Sequence, residues 1–141
     1  MSHFHALGDF KIQQEDNLFL VTFKGQFNYE GVEAYGNALK AEVNLLNQKP
    51  WVFIGDINEL DISTMDAVDY VQELVQWMNN HGCICMVNVA KHLPNALDHQ
   101  VQIAKGEGAV YEAQTLQQAR RICDQALAEY ENSPLQNSSN C

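Results

Sequence analysis

The chain has 141 residues, enough for one domain with a real core, and 46% of them are apolar. Eighteen acidic residues against eight basic ones leave a net charge of -10, so there is neither the basic footprint that nucleic acid requires nor the polybasic patch that an anionic membrane requires. The longest apolar run, Cys83–Val87, is strand-sized and far short of the ~20 residues of a membrane span. Met1–Phe10 lacks the basic and apolar regions of a secretory signal, which predicts a cytoplasmic protein with no membrane insertion.

Residues 1–8 carry no pattern and are expected to be a flexible N-terminus. Asp9–Gln14 and Leu18–Gly25 read as two strands joined by a polar turn at Glu15-Asp16-Asn17. In the second, Leu18, Leu20 and Thr22 alternate with Phe19, Val21 and Phe23. Both faces are largely apolar, so this strand is central and covered on both sides. A helix follows over Tyr29–Leu46, capped by Asn28, with Val32, Tyr35, Leu39, Val43 and Leu46 on its buried face. Asn47-Gln48-Lys49-Pro50 ends it. Trp51–Ile57 is a short apolar strand.

Ser63 or Thr64 caps a second helix over Met65–Asn80, with Asp66 and Asp69 in its first turns, where the helix dipole favours negative charge. Val71, Leu74, Val75 and Met78 line one face, and His81-Gly82 supplies a glycine stop. Cys83–Val89 is a third apolar strand. Pro94 opens a shorter helix carrying Leu97, Val101 and Ala104, which Gly106 and Gly108 break. Ala109–Glu112 is a brief edge strand. Thr115 with Gln118 forms a capping-box signature for a last helix striped by Leu116, Ala119, Ile122, Cys123, Ala126, Leu127 and Tyr130. The polar tail, residues 131–141, is expected to be disordered. The order is β-β-α-β-α-β-α-β-α. It predicts a single α/β domain over residues 9–130, with a mixed sheet, right-handed crossovers and helices packed on the sheet.

Chemical signatures are sparse. No GxxxxGK[ST] or GxGxxG phosphate loop is present, and Gly106-Glu107-Gly108 places an acid where phosphate would sit. His3, His5, His81, His92 and His99 form no HExxH, and no nucleophile elbow appears. No cofactor and no metal are therefore expected. Cys83, Cys85 and Cys123 read as small core residues, with Cys83 and Cys85 on one strand face because they are two apart. Cys141 is read as an exposed free thiol.

From Pro50 to Ala90 there is no Lys or Arg, while Asp56, Glu59, Asp61, Asp66, Asp69 and Glu73 all fall there. One side of the fold should therefore be negative. Asp56, Glu59 and Asp61 are expected in a loop at the carboxyl end of a strand, where open α/β sheets place their sites. A solvated acidic loop is the expectation, with divalent-cation binding or acid-base catalysis by these carboxylates the alternatives.

The element order, Gly25 after the second strand, Pro50-Trp51-Val52-Phe53-Ile54 entering the next, the Asp56–Leu60 stretch and Gly82 before the core strand together resemble a STAS domain. That is the fold of anti-sigma-factor antagonists, of sulfate-transporter tails and of standalone proteins like the sporulation anti-anti-sigma factor. The resemblance covers Asp9 to Tyr130 and implies a non-enzymatic regulatory or protein-binding module. In the family's regulators an Asp-Ser-Ser-Gly-type motif at the start of the second helix carries a phosphorylated Ser or Thr. Here Asp61-Ile62-Ser63-Thr64-Met65-Asp66 stands in that place, so Ser63 and Thr64 are the candidate phosphosites. Met65-Asp66 replaces the Ser-Gly pair, and an N-cap role for the hydroxyl is the expectation. The predicted docking loop is Asp56, Glu59, Asp61, Ser63, Thr64, Asp66 and Asp69, and the predicted partner is a protein with a basic patch. The alternative is a small apolar molecule or nucleotide held in a cleft between sheet and helix, lined by Phe27, Tyr29, Tyr70 and Trp77.

Overall fold

The computed structural model describes residues 5–47, 49–62, 64–91 and 110–132. Five strands and three helices lie within them: β1 (Asp9–Glu15), β2 (Leu18–Phe27), α1 (Tyr29–Asn44), β3 (Trp51–Ile62), α2 (Met65–Asn80), β4 (Cys83–Val89), β5 (Val110–Ala113) and α3 (Leu116–Glu131). The strands form one sheet in the order β1-β2-β3-β4-β5. The β1–β2 hairpin is antiparallel, and every later pairing is parallel. This is the mixed sheet with packed helices that the sequence predicts. The helix expected after Pro94 and the tail after Asn132 lie outside the described residues.

Alternation in the strands explains the layers. Phe19, Val21 and Phe23 of β2, with Trp51 and Phe53 of β3, turn to one face and pack against Val32, Tyr35 and Leu39 of α1 and Leu74, Val75 and Met78 of α2. Leu18, Leu20, Val52 and Ile54 turn to the other face and meet Ala119 and Cys123 of α3. The sheet is thus covered on both sides, and the crossovers through α1 and α2 place both helices together, as consecutive right-handed connections must. Trp51 is fully buried, its indole N–H donates to the His81 carbonyl at 2.8 Å, and its ring meets Phe19 edge-on.

Local signals set the helix ends. The Asn28 side chain accepts from the Gly31 N–H at 2.8 Å, and Thr115 accepts from the Gln118 N–H at 3.1 Å. Of the eight N-terminal residues expected to be flexible, four are described, and Asn28 bonds to two of them. Its side-chain oxygen accepts from the Leu7 N–H at 2.9 Å and its amide donates to the His5 carbonyl at 2.8 Å. Gly82, at φ +96°, supplies the left-handed turn between α2 and β4.

Four expectations need correction. β3 runs to Ile62, not Ile57, and β2 to Phe27, not Gly25. α1 ends at Asn44 rather than Leu46. Cys83 and Cys85 face opposite sides of the sheet, Cys83 towards α1 and α2 and Cys85 towards α3. The reason is a register irregularity at the start of β4: Trp51 pairs with Cys83 but the next residue, Val52, pairs with Cys85. Extra length on one strand inverts the faces beyond it.

Candidate functional site: the acidic end of the sheet and the start of α2

Beyond the covered sheet, β2 and β3 continue as a two-stranded ribbon. Thr22 pairs with Asp56 and then Lys24 with Glu59, so β3 spends one extra residue in a bulge. Pairing resumes through Gly25–Leu60, Gln26–Asp61 and Phe27–Ile62. Leu60 and Ile62 pack on the α1–α2 side of the core. Glu59 and Asp61 alternate with them and are exposed, on the opposite face. The stretch expected as an acidic loop is therefore mostly strand. The Leu60/Ile62 against Glu59/Asp61 alternation was the signal for it, masked by the bulge just before.

Asp56 has a structural task. Its Oδ1 accepts from the Asn58 backbone N–H at 3.2 Å and from the Asn58 amide at 2.9 Å, while the Asn58 oxygen accepts from the Lys91 N–H at 2.8 Å. This chain of bonds pins the bulge to the end of β4. Asp56 is half-buried, whereas Glu59 and Asp61 are exposed. Although Pro50–Ala90 contains no cation, the neighbouring strand supplies one, since Lys24 is the register partner of Glu59.

Thr64 caps α2. Its Oγ1 accepts from the Ala67 N–H at 3.4 Å, and its hydroxyl donates to the Asp66 carboxylate. Met65 follows, 68% exposed, and Asp66 and Asp69 are exposed beside it. Neither aspartate forms an ion pair among the described residues, where the ion pair found joins Arg120 to Glu15. Of the seven predicted residues, the structure thus brings Thr64, Asp66 and Asp69 together at the helix start and Glu59 and Asp61 together on the ribbon; Ser63 lies outside the described residues. Sequence reasoning missed Met65 as a surface residue, because a Met at a helix start carries no sign of which way it points.

Solved structures of other proteins have a similar fold. An anti-sigma factor antagonist from Mycobacterium paratuberculosis superposes with a TM-score of 0.60 at 12% identity, over 84% of this chain and 95% of that one. The chain has a STAS-like fold. An uncharacterised protein of the DUF3478 family with a SpoIIAA-like fold, from Shewanella loihica PV-4, gives a TM-score of 0.59 at 18% identity, over 87% of this chain and 98% of that one. No protein-family model and no curated protein matches the sequence.

Within the STAS-like core, an apolar cavity of about 100 Å³ lies between the sheet and the two helices. Phe27, Tyr35, Ile57, Leu60, Leu74 and Met86 are among its walls, with Asn88 and the Tyr35 phenol as polar groups. Burial pushes the Tyr35 phenol far above the ordinary tyrosine range. Of the four aromatics expected in a cleft, Phe27 lines this cavity. Tyr29, Tyr70 and Trp77 lie instead along the outer seam of α1 and α2. Burial also pushes the Cys83 thiol up to about 12, which leaves it an inert core thiol at neutral pH. Among the described residues no three His, Cys, Asp or Glu side chains gather as a metal site, and no helix is long and apolar enough to cross a membrane.

Proposed function

We propose that this STAS-like domain is a non-enzymatic regulatory module that docks a protein partner through the start of α2. One observation carries the reading: Met65 projects into solvent between a cap and two exposed aspartates that no described cation neutralises. A single exposed apolar side chain is common on a protein surface, and it is the charge beside Met65 that gives this one a direction. Unneutralised carboxylates beside it favour a partner with a basic patch. Glu59 and Asp61 extend the negative field from the ribbon, and Lys24 reduces it there. The Mycobacterium paratuberculosis structure is that of an anti-sigma factor antagonist, a role defined by action on a protein target, and a role of the same class is proposed for this chain.

Thr64 serves this surface as a cap rather than as a phosphoacceptor. Its oxygen and its proton are both engaged, with Ala67 and Asp66. A phosphate would lose the hydroxyl proton given to Asp66 and face the Asp66 and Asp69 carboxylates in the first turns of α2, a repulsion set against the favourable field of the helix N-terminus. A photo-crosslinking side chain at position 65 tests the reading in the native cell. It should trap one dominant protein, and the same group at the exposed Tyr111 on the far sheet edge should trap far less of it. Equal, unselective labelling from both positions would overturn the docking site.

The cavity supports a second role, retention of a small apolar molecule. Native mass spectrometry of the purified protein should then show an adduct that denaturation releases. A protein of bare sequence mass contradicts this role.

A further inference from the structure

On the α3 side of the sheet, two cysteines from distant parts of the chain meet. Val52 pairs with Leu18 on one side and with Cys85 on the other, so these three residues form one row across β2, β3 and β4. All three belong to the core layer beneath α3, and Cys123 of that helix belongs to it too. Leu18 and Val52 also line, together with Cys123, a cleft of about 340 Å³ between the β1–β2 turn and α3. Cys123 therefore stands over the row in which Cys85 is the next member. The two thiols are hydrogen-bonded to each other. Both are free and almost wholly buried.

Cys83 provides the contrast. It lies on the other face of the sheet, its thiol donates to the Cys85 carbonyl at 3.4 Å, and burial pushes it up to about 12. At Cys85 the hydrogen bond from Cys123 lowers the pKa, against the opposing effect of burial. The same bond, then burial, raises that of Cys123. Cys85 is thus the sulfur that ionises more readily, and Cys123 the one that keeps its proton. The cleft supplies a way in. Its walls include the exposed Glu15 and Asp16 as well as Cys123, and a space of this size admits several water-sized molecules. A small polar oxidant can reach the sulfur layer there without the sheet opening.

We propose that Cys85 and Cys123 form a peroxide-responsive dithiol, which closes into a disulfide and ties α3 to β4. One sulfur takes a hydroxyl from hydrogen peroxide, which leaves a sulfenic acid and releases water. The second sulfur displaces that hydroxyl as a second water and forms the S–S bond. The two thiol protons leave in the two waters. Each sulfur gives up one electron, and the peroxide is reduced by both. A thiol reductant reopens the bond by exchange.

The test uses the full chain with Cys141→Ser, which removes the one cysteine outside the described residues. The folded protein is treated with hydrogen peroxide and analysed by mass spectrometry without reduction. It should lose two hydrogens, and peptide mapping should place a link between Cys85 and Cys123, with Cys83 recovered as a free thiol. Dithiothreitol should restore the original mass. Cys83→Ala should keep the link, and Cys85→Ala and Cys123→Ala should each abolish it; thermal melts check that each variant is folded. A link to Cys83, oxygen added to either sulfur with no link, a link that forms only in urea, or a folded protein that does not react would overturn the dithiol.

Discussion

Asn28 performs three tasks with one amide: it caps α1 and holds both Leu7 and His5 of the N-terminal arm. Asn28→Ala should cost about 1–2 kcal/mol, the worth of a lost cap plus two exposed hydrogen bonds, and lower Tm by several degrees. Asn28→Asp keeps the accepting oxygen but not the donor to His5, so its Tm should fall between the two. A second residue-scale test concerns Glu15. Its carboxylate meets Arg120 through two bonds, of 2.7 and 3.3 Å, tying the β1–β2 turn to α3. The hydrogen bond from Arg120 holds the Glu15 carboxyl below its ordinary 4.5. A depressed folded pKa gives stability that is complete above the unfolded value and fades as pH falls through the lower folded one. Glu15→Gln should therefore lower Tm slightly at pH 7, as expected of an exposed pair, and the gap to wild type should close as pH falls below the ordinary carboxylate value and through the lower folded one. The cap at Asn28 was legible in the sequence because an Asn before a helical stripe states its job. The Glu15–Arg120 pair was not, since the partners are 105 residues apart and only the fold brings them together.

At the scale of elements, the sheet rests on strands that are apolar on both faces. Ile54 is fully buried against the α3 layer. Ile54→Asp should abolish cooperative melting, because an unpaired carboxylate there would lose its hydration with no partner. A soluble mutant that melts cooperatively would contradict the two-sided packing. The alternation of β2 made this layering readable from sequence. The end of β3 was not readable in the same way. Its hydrophobic alternation is interrupted by the bulge at Ile57-Asn58, and Asp56 and Asn58 are loop-forming residue types that here bond to each other and to Lys91. The same difficulty reversed the expected facing of Cys83 and Cys85, since a one-residue irregularity leaves no trace in composition.

At the scale of the molecule, the net charge of -10 is distributed with purpose. The start of α2 gathers exposed carboxylates around Met65 and the ribbon adds Glu59 and Asp61, while α3 sets Arg120 and Arg121 against Asp124, Glu129 and Glu131. The carboxylates of Pro50–Ala90, a stretch without Lys or Arg, were legible in the sequence. Their division into a ribbon face and a helix face was not, because that depends on which residues of β3 point which way. Exhaustive chelation of divalent metal should leave Tm unchanged, and a shift of several degrees would reveal a structural metal site. The central claim, a basic protein docked on the Met65 surface, meets its most direct test in affinity capture from the native cell at low and high salt. Wild type is run beside Met65→Asp, Asp66→Asn and Asp69→Asn. The account predicts one partner whose recovery falls as salt rises, because screening weakens exposed charge pairs, and falls again with each substitution. A partner recovered equally at both salt concentrations and by all four proteins would contradict it.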